Sequence, residues 1–529
     1  MQDWPLRLMR LIDHATREHG TREIVCARAD GSILRTDWRA VADQARRLAQ
    51  ALERLGIVPG DRVATLAVNH DRHLTAWFGV PGMGGVLHTL NPRLFDDQLA
   101  FIANHAEDRV LLYDAAFAPL VERLKPRWSS IEHYICFDSE FDGWLDAEDG
   151  DYRWVEGDER DPSGLCYTSG TTGNPKGVLY EHRSTVLHTM SIIATDIFDV
   201  SARSVMLPVV PMFHAGSWCI PYAAAMVGFK LVICADNQPE RLCGLIASEG
   251  VTHSAGVPTV WLGMIEHVER TGADLGKLAT VIIGGSSAPP ATIRWFRDRG
   301  VRVNHLWGMT EMSPVGTVGA PPASWDSMSE DEQLAYMARP GRSMFGVELR
   351  VVDDAGTVLP RDGRSSGRLQ TRGPGVVRRY FKEEADAVDR DNWFDTGDVA
   401  VIHPDNSLQI TDRAKDVIKS GGEWISSIQL ENAAIDCPGV AEAAAIGIPH
   451  PKWDERPLLL IVRTPGSAVG EAAIRDRLAA QVAKWWQPDA IEFVADLPHT
   501  ASGKLSKKDL REAYRDYRFP DAHDMVGRD

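Results

Sequence analysis

One stretch decides the fold that we expect of this chain: Tyr167-Thr168-Ser169-Gly170-Thr171-Thr172-Gly173-Asn174-Pro175-Lys176-Gly177-Val178. Its glycines allow a tight backbone turn close to a ligand, and its amides, hydroxyls and ammonium group suit a polyphosphate. It is not a Walker loop, because Lys176 lies between Pro175 and Gly177 instead of directly before Ser or Thr. We interpret the stretch as a phosphate-binding loop, against the alternative of an ordinary polar surface loop.

The composition is that of a globular protein with several folding units. The 529 residues are too many for one core, and 44% are apolar and 25% charged. The seven cysteines are scattered and form no CxxC pair, which argues against a disulfide framework or a zinc site and favours a cytoplasmic location. The 57 basic and 74 acidic side chains give a formal charge of −17, which disfavours nucleic acid and anionic membranes as general partners.

Neither a secretion signal nor a membrane span is expected. The amino terminus lacks a basic region followed by an apolar segment. The longest apolar run covers residues 215–229 and contains Pro221. Its 15 residues are fewer than the ~20 that cross a bilayer.

The order of apolar segments predicts an α/β fold. Apolar residues at helical spacing over 37–55 predict a helix, and alternating helical and strand patterns imply parallel strands joined by helices. A short acidic linker at 144–162 precedes the phosphate loop. The predicted strands cover residues 62–68, 110–113, 134–137, 205–210, 230–234, 251–255, 280–283 and 301–303.

The character of the chain changes after residue 340. Short strands at 347–352, 367–371, 398–402 and 408–411, separated by turn residues, predict a small β subdomain. The charged and then glycine-rich segment 412–424 is typical of a domain junction. We therefore expect a large N-terminal domain, residues 1–412, with two βαβ-type subdomains and a small β subdomain. A small α+β C-terminal domain would cover 413–529.

Three motifs are expected where strands end, so they would meet at one crevice. They are Pro211-Met212-Phe213-His214-Ala215-Gly216-Ser217-Trp218, Gly284-Gly285-Ser286 and His305-Leu306-Trp307-Gly308-Met309-Thr310-Glu311. Glu311 offers a hard oxygen ligand for magnesium, against the alternative of a solvated charge. A lone histidine such as His214 is as readily structural as catalytic. Asp398, at a predicted strand start, would accept hydrogen bonds from ribose hydroxyls.

Together these motifs resemble the acyl-adenylate-forming superfamily of acyl-CoA synthetases, luciferases and peptide-synthetase adenylation domains. The phosphate loop, the Gly-Met-Thr-Glu motif, Thr396-Gly397-Asp398, Asp412-Arg413-Ala414-Lys415-Asp416 and Gly503-Lys504 occur in the family's order. Two further segments, residues 420–427 and 449–453, look like those of fatty-acyl and methylmercaptopropionate CoA ligases. The resemblance covers about residues 37–514.

The resemblance implies an ATP-dependent reaction in two steps, with Mg²⁺ as cofactor and coenzyme A as co-substrate. A carboxylate attacks the α-phosphate of ATP to give acyl-AMP and pyrophosphate. The thiol of CoA then displaces AMP to give the thioester. Between the steps the small domain would rotate about Lys415.

The resemblance also implies roles for individual residues. Thr168 and Glu311 would hold magnesium, and Lys176 with loop residues Ser169, Gly170, Thr171, Thr172 and Gly173 would hold the phosphates. Thr310 would contact the α-phosphate, and Lys504 would bridge it to the substrate carboxylate. Asp398 and Arg413 would bind ribose. The remaining expected ligand-binding residues are Gly285, Ser286 and Trp307 around adenine, Gly421, Gly422 and Trp424 at the pantetheine channel, His214 and Trp218 beside the acyl group, and His305, Leu306, Lys415 and Lys419.

Three neighbouring residues depart from the pattern that is usual in the family. Trp307 stands where tyrosine is common, and the neighbouring His305 and Leu306 stand where smaller or polar residues are frequent. Two alternatives stay open at this point: an adenylating enzyme that loads a separate carrier protein, and a catalytically silent nucleotide-binding protein. The sequence does not identify the acid, and a homodimer is expected only as the commonest oligomer.

Overall fold

The protein is described by a computed structural model that covers residues 1–168, 174–420, 423–499 and 505–519. Of Glu423 and Trp424 it describes the backbone alone. Across these ranges the model contains no helix with both the length and the apolarity needed to cross a bilayer.

The strands alternate with helices along most of the chain. The strands are β1 (Glu23–Ala27), β2 (Ile33–Asp37), β3 (Arg62–Leu66), β4 (Val86–Thr89), β5 (Asp108–Tyr113), β6 (His133–Cys136), β7 (Pro162–Tyr167), β8 (Gly177–Glu181), β9 (Val205–Pro208), β10 (Lys230–Cys234), β11 (His253–Gly256), β12 (Thr280–Ile283), β13 (Arg302–Gly308), β14 (Val315–Val318), β15 (Arg342–Ser343), β16 (Glu348–Val352), β17 (Gly367–Arg372), β18 (Phe394–Ile402), β19 (Leu408–Arg413), β20 (Ile418–Ser420), β21 (Glu423–Ile425), β22 (Val440–His450), β23 (Asp454–Arg463) and β24 (Ala490–Val494).

The helices lie mainly between these strands. They are α1 (Met9–Glu18), α2 (Trp38–Arg54), α3 (Asp71–Gly82), α4 (Asp96–Ala106), α5 (Ala118–Leu124), α6 (Phe141–Leu145), α7 (His182–Ile192), α8 (Ile220–Val227), α9 (Pro239–Glu249), α10 (Pro258–Thr271), α11 (Pro290–Arg297), α12 (Glu330–Met337), α13 (Ser427–Ile435), α14 (Glu471–Gln481) and α15 (Lys507–Ala513). Single 3₁₀ turns cover Ala115–Phe117, Lys125–Arg127, Ala215–Cys219, Thr310–Met312, Trp325–Ser327 and Lys484–Trp486.

Two mainly parallel sheets make up the large part of the molecule, as the α/β prediction required. One has the order β6-β5-β3-β4-β7-β8, and the other the order β15-β14-β13-β12-β11-β9-β10-β1-β2. The largest core lies between them and includes Val63 and Leu112 from the first sheet, Leu231 and Ile282 from the second, and Phe78 from helix α3. Because both sheets contribute side chains to this one core, their positions relative to each other are fixed.

The small β subdomain is a four-stranded antiparallel sheet with the order β16-β17-β18-β19. A third, mixed sheet follows, with the order β21-β20-β23-β22 and β24 beside β23. Strand β19 ends at Arg413 and β20 begins at Ile418, so Lys415 lies in the short segment between the two sheets. The division into 1–412 and 413–529 stays a prediction.

A buried charged cluster joins the small β subdomain to the helices that follow it. Ser427 donates from its backbone amide and its hydroxyl to Asp412 Oδ2, both at 2.6 Å. Lys507 Nζ lies 2.6 Å from Glu431 Oε1 and 2.5 Å from Ser427 Oγ. Burial raises the pKa of both Asp412 and Glu431, while Lys507 lowers it. We call Asp412, Ser427, Glu431 and Lys507 the junction cluster.

Three local predictions were wrong in detail. Strand β13 does not end at residue 303 but continues through Trp307 to Gly308, because residues 306–308 pair with β14. Strand β18 begins at Phe394, so Asp398 lies inside the strand and not at its start. Strand β9 ends at Pro208, and His214 follows in a turn instead of at the strand end.

Candidate active site

The candidate site lies where strands β9, β12 and β13 end, since all three are parallel members of the same sheet. Segments after these ends carry the turn at 214–219, the pair Gly284-Gly285 and the Thr310–Met312 turn. Ligands of open α/β sheets bind at the carboxyl ends of strands. The predicted convergence of the three motifs is therefore a feature of the fold.

Two tyrosines that the sequence reasoning missed hold the Thr310–Met312 turn. Tyr180, on β8, donates its hydroxyl to the Thr310 carbonyl at 2.7 Å. Tyr380 donates its hydroxyl to Glu311 Oε1 at 2.9 Å. Thr310 and Glu311 are 8% and 7% exposed, so this turn is fixed and largely shielded from bulk water.

The environment of Glu311 suits a cation. Burial raises its pKa, and its own backbone amide and the Tyr380 hydroxyl lower it. In the described part of the chain, no three His, Cys, Asp or Glu side chains cluster as a metal cage. Magnesium is usually held by one or two carboxylates together with substrate phosphates, so a single buried glutamate fits this ion.

Tyr380 also links this turn to the phosphate loop. Lys176 Nζ lies 4.9 Å from the centre of the Tyr380 ring, a cation–π distance. The loop itself is closed at its base, where the Thr168 amide donates to the Lys176 carbonyl at 2.9 Å between paired strands β7 and β8. The predicted phosphate contacts Ser169, Gly170, Thr171, Thr172 and Gly173 lie outside the described residues.

Asp398 and Arg413, the residues expected to bind ribose, contact each other, and Trp307 also contacts Asp398. Arg413 Nε lies 2.9 Å from Asp398 Oδ1, and the two residues are register partners in strands β18 and β19. Trp307 Nε1 donates to the other oxygen, Asp398 Oδ2, at 2.8 Å. Asp398 is 2% exposed, so both of its oxygens are oriented by protein groups inside the fold.

The first glycine of the pair after β12 packs tightly against Leu306 and Trp218. A Cβ on Gly284 would lie 2.3 Å from Leu306 Cδ1 and 3.2 Å from Trp218 Cη2. Gly285 has φ +89°, a left-handed conformation that favours glycine. Ser286 is exposed at the same turn. Gly284, Leu306 and Trp218 therefore lie against one another.

His305 is built as a structural histidine. Its Nδ1 lies 2.9 Å from the Ala338 carbonyl, and the ring is 4% exposed. Burial lowers its pKa to about 4, although backbone groups of Ala338 and Ser286 oppose the shift. The structure thus places His305 beneath the Gly285-Ser286 turn, and its direct contact with a ligand stays a prediction.

Trp218 lies on an unusual left-handed turn that begins directly after His214. Successive φ angles are 44° at Ala215, 57° at Gly216, 42° at Ser217, 52° at Trp218 and 58° at Cys219. Residues other than glycine seldom adopt this conformation, and each costs about 1–2 kcal/mol there. His214 itself is half-buried, whereas Trp218 is 5% exposed.

Asn69 holds the chain that leads into this turn, and sequence reasoning missed it. Its amide group donates to the Val210 carbonyl at 3.1 Å and accepts from the Met212 amide at 2.6 Å. Ser217 Oγ donates to the same Val210 carbonyl at 3.2 Å. No local pattern identifies Asn69, because its partners are more than 140 residues away.

A narrow cavity lies behind the left-handed turn. Ala215, Gly216 and Cys219 of the turn and residues 164–166 of strand β7 contribute to its lining. Trp77 and Tyr222 also line it, with ring centres 5.2 Å apart. The lining is mainly apolar, with the thiols of Cys166 and Cys219 and a few hydroxyls.

The remaining predicted residues lie near the junction between the two sheets. Lys415 is exposed, and Lys419, also exposed, donates its amide to Glu455 Oε2 at 2.9 Å. Trp424 lies opposite Lys419 in the β20–β21 pairing. Gly421, Gly422 and Lys504 lie outside the described residues, although the His499–Leu505 bridge closes the base of the segment that carries Lys504.

Two family models match most of the chain, and curated relatives align along nearly all of it. Residues 12–381 match the model of the AMP-binding enzyme family, and residues 429–504 match that of the AMP-binding enzyme C-terminal domain. The chain is 45% identical over 531 residues to the 3-methylmercaptopropionyl-CoA ligase of Ruegeria lacuscaerulensis, covering 98% of both chains. It is 46% identical over 521 residues to the medium-chain-fatty-acid–CoA ligase of Ectopseudomonas oleovorans, covering 96% of this chain and 95% of that protein.

Solved structures share the fold. The anthranilate CoA ligase AuaEII in complex with anthranoyl-AMP superposes with a TM-score of 0.87 at 23% identity, covering 97% of this chain and 99% of that one. At this identity the likeness concerns the fold alone. With two matching family models that together span most of the sequence, the chain belongs to the AMP-binding enzyme family.

Proposed function

We propose that the protein activates a small aliphatic acid, including acids with sulfur in the chain, and transfers it to coenzyme A. The enzyme is an ATP-dependent carboxylic acid:CoA ligase that forms acyl-AMP and pyrophosphate and then acyl-CoA and AMP. The observation that carries the proposal is the convergence of Thr310-Glu311 with the Lys176 side of the phosphate loop through Tyr380.

In the first half-reaction the acid's carboxylate oxygen bonds to the α-phosphorus and the bond to pyrophosphate breaks. Negative charge gathers at the α-phosphate, so groups fixed in advance around it supply most of the stabilisation. Thr310 would donate to the α-phosphate, Lys176 would neutralise the departing pyrophosphate, and Lys504 would bridge carboxylate and phosphate.

Magnesium would be held by Glu311 and Thr168 together with phosphate oxygens of the substrate. When bound, it supplies positive charge beside the triphosphate. Asp398 and Arg413 would hold the ribose, and the Gly285-Ser286 turn would lie against adenine. These assignments rest on the burial of Glu311 and Asp398, on the position of Glu311 in the turn after strand β13, and on the contact of Asp398 with Arg413.

In the second half-reaction the CoA thiol sulfur bonds to the acyl carbon and AMP leaves with its electron pair. The thiol and pyrophosphate cannot occupy the same point, so the C-terminal part would rotate about Lys415. This motion would withdraw Lys504 and bring Gly421, Gly422 and Trp424 toward the pantetheine. The exposure of Lys415 between two separate sheets is consistent with such a pivot.

The preference for a small aliphatic acid rests on the cavity behind the left-handed turn. Its walls are apolar and contain thiols, and the packed rings of Trp77 and Tyr222 contribute to the lining. The relatives named for 3-methylmercaptopropionate and for medium-chain fatty acids act on chains of this general kind. His214 and Trp218 would contact the acyl group, since both adjoin the turn that contributes Ala215, Gly216 and Cys219 to the cavity lining.

The proposal is tested by pyrophosphate release across straight-chain, branched, aromatic and sulfur-containing acids, with and without CoA. We expect turnover with short and medium aliphatic acids, and release of AMP and thioester only when CoA is present. Trp218→Ala should change the chain-length profile more than the apparent affinity for ATP. Turnover with aromatic acids alone would contradict the proposed substrate class.

The assembly and location proposed for the enzyme rest on general arguments. All seven cysteines are buried and unpaired, which suits a reducing cytoplasm. A homodimer is proposed because two-fold dimers are the commonest oligomers. Light scattering of the purified protein, read as molar mass against the 58.4 kDa chain, tests the dimer directly.

A further inference from the structure

Trp307 is the candidate-site residue whose observed contacts differ most from its expected role. A residue that encloses adenine presents its ring face to the ligand. The Trp307 ring is instead 9% exposed and packs in the core of the small β subdomain with Met312, Leu349 and Leu369. A Cβ on Gly316 would lie 3.0 Å from Trp307 Cζ3, so the benzene edge is held against β14.

The opposite edge of the same ring carries the indole N–H, and that group donates to Asp398 Oδ2 at 2.8 Å. The bond joins strand β13 of the nine-stranded sheet to strand β18 of the four-stranded sheet. It is also a hydrogen bond to an ionised group inside the fold, a class that contributes more than a neutral pair.

The other carboxylate oxygen is held differently. Asp398 Oδ1 accepts from Arg413 Nε, whose side chain is 43% exposed, whereas the Asp398 side chain is 3% exposed. An exposed guanidinium on a strand next to the domain junction is a weaker constraint than a packed indole. Trp307 therefore fixes the plane of the carboxylate.

We propose that Trp307 is a positioning residue for Asp398 and that its indole N–H sets how strongly the enzyme selects ribose over deoxyribose. Recognition of two adjacent hydroxyls requires both carboxylate oxygens at fixed positions, because a group built to accept a hydroxyl discriminates against a ligand that lacks it. The inference rests on the proposed nucleotide site.

The test compares kcat/KM for ATP, 2′-deoxyATP and 3′-deoxyATP in the wild type and in Trp307→Phe, with pyrophosphate release as the readout. The phenyl ring keeps most of the packing and removes the N–H. We expect the preference for ATP over the two deoxy analogues to fall by about tenfold, the size of one hydrogen bond to a charged group. The same loss should occur in calorimetric binding of ATP and its deoxy analogues.

A matched control is Trp128→Phe, which removes an indole N–H bond to the Leu99 carbonyl at 3.3 Å in a separate core. It should lower the melting temperature and leave the sugar preference unchanged. Inosine triphosphate, which keeps the ribose and changes the base, separates the roles of Trp307. If Trp307→Phe alters the ATP-to-ITP ratio and leaves the sugar preference intact, the inference is overturned.

Failure of the proposed function has a different signature. If the wild type releases no pyrophosphate with any acid and binds no ATP, the nucleotide site itself is wrong. If the wild type is active and Trp307→Phe folds but keeps the full sugar preference in kinetics and in calorimetry, only the positioning role is wrong. If Trp307→Phe fails to fold, Trp307→Leu takes its place, since its apolar side chain also lacks a hydrogen-bond donor, and it is held to the same ratios.

Discussion

At the scale of single residues, Tyr380 contacts two charged groups that belong to different parts of the site. Its hydroxyl donates to Glu311, and its ring lies under Lys176. Tyr380→Phe keeps the ring and removes the hydroxyl, so the glutamate loses one orienting bond while the lysine keeps its contact. We expect the magnesium concentration for half-maximal pyrophosphate release to rise by about tenfold.

Tyr180→Phe is the matched control for that experiment. It removes a hydroxyl of the same kind that donates to the Thr310 carbonyl and touches no carboxylate. Its effect on turnover should not depend on magnesium. Equal shifts in the magnesium requirement for both variants would contradict the role assigned to Tyr380.

Glu311 itself is expected to be far more sensitive. Glu311→Gln replaces a carboxylate by a neutral amide of the same size, and an amide is a poorer magnesium ligand beside a triphosphate. Turnover should fall by about 10² or more with an unchanged melting temperature. Near-normal turnover at saturating magnesium would refute the metal role.

The residue-scale contacts also mark the limit of prediction from sequence. The Gly-Met-Thr-Glu and Thr-Gly-Asp motifs are visible because their residues are adjacent in the chain. The bonds of Tyr380 to Glu311 and of Trp307 to Asp398 span 69 and 91 residues and arise only when sheets pack together. Tyrosine is an ordinary core residue, so nothing local distinguishes Tyr380. Trp307 stands in a recognisable motif, but nothing local predicts that its indole N–H donates to Asp398.

At the scale of elements, the left-handed turn at Ala215–Cys219 predicts an unusual stability change. Ala215 has φ 44°, where glycine is free of steric strain. Ala215→Gly should therefore raise the free energy of unfolding by about 0.5–1 kcal/mol, even though glycine loses more chain entropy on folding. Denaturant titration measures this directly.

Ala224→Gly in the right-handed helix α8 is the control with the opposite sign. The same chemical change there should lower the free energy of unfolding by about 0.5–1 kcal/mol. If both substitutions destabilise the protein equally, the turn is not strained in the way the φ angles indicate.

Strand boundaries show why elements were predicted more accurately than their ends. Strands β10 and β12 match their predicted ranges because both are short, apolar and central to a sheet. Strand β13 was predicted too short because residues 304–308 contain Asn304, His305 and Gly308, which do not resemble a buried strand. Pairing with β12 and β14 extends it, and that pairing is a property of the whole sheet.

At the scale of the whole molecule, buried histidines predict how stability depends on pH. Burial lowers the pKa of His182 and His188 to about 3 and that of His73 and His305 to about 4. Because these values lie below the ordinary 6.5, the unfolded chain binds more protons in acid. Stability should be full above pH 6.5 and should fall as the pH drops toward 4.

The loss of unfolding free energy caused by these histidines can be measured between pH 7 and 5. At pH 5 each histidine accounts for at most about 2 kcal/mol, since one pKa unit corresponds to ~1.4 kcal/mol. His188→Gln, which keeps an acceptor for the Val315 amide, should flatten the dependence between pH 7 and 5.

The proposed rotation of the C-terminal part about Lys415 predicts a separation of the two half-reactions. Lys504→Ala should reduce acyl-AMP formation by about 10² to 10³ and still convert supplied acyl-AMP and CoA to thioester. Gly422→Leu should do the reverse, because a side chain there would crowd the pantetheine channel. Lys415→Pro should behave like Gly422→Leu, since a fixed φ angle blocks the rotation.

Separate rapid-quench assays of acyl-AMP formation and of thioester formation test this prediction. If Lys504→Ala, Gly422→Leu and Lys415→Pro each slow both half-reactions to the same extent, alternation of domains does not operate in this enzyme.

The junction cluster bears on how such enzymes can be recombined. Asp412 lies in the last strand of the small β subdomain, while Ser427, Glu431 and Lys507 lie in the two helices α13 and α15 beyond Lys415. A hybrid joined near residue 413 would inherit the aspartate from one parent and the lysine from the other. If the lysine's position were filled by an uncharged residue, two buried carboxylates would face each other without a cation, a strongly destabilising arrangement. Stable hybrids joined near residue 413 therefore require parent enzymes that carry the same charges at positions 412, 431 and 507.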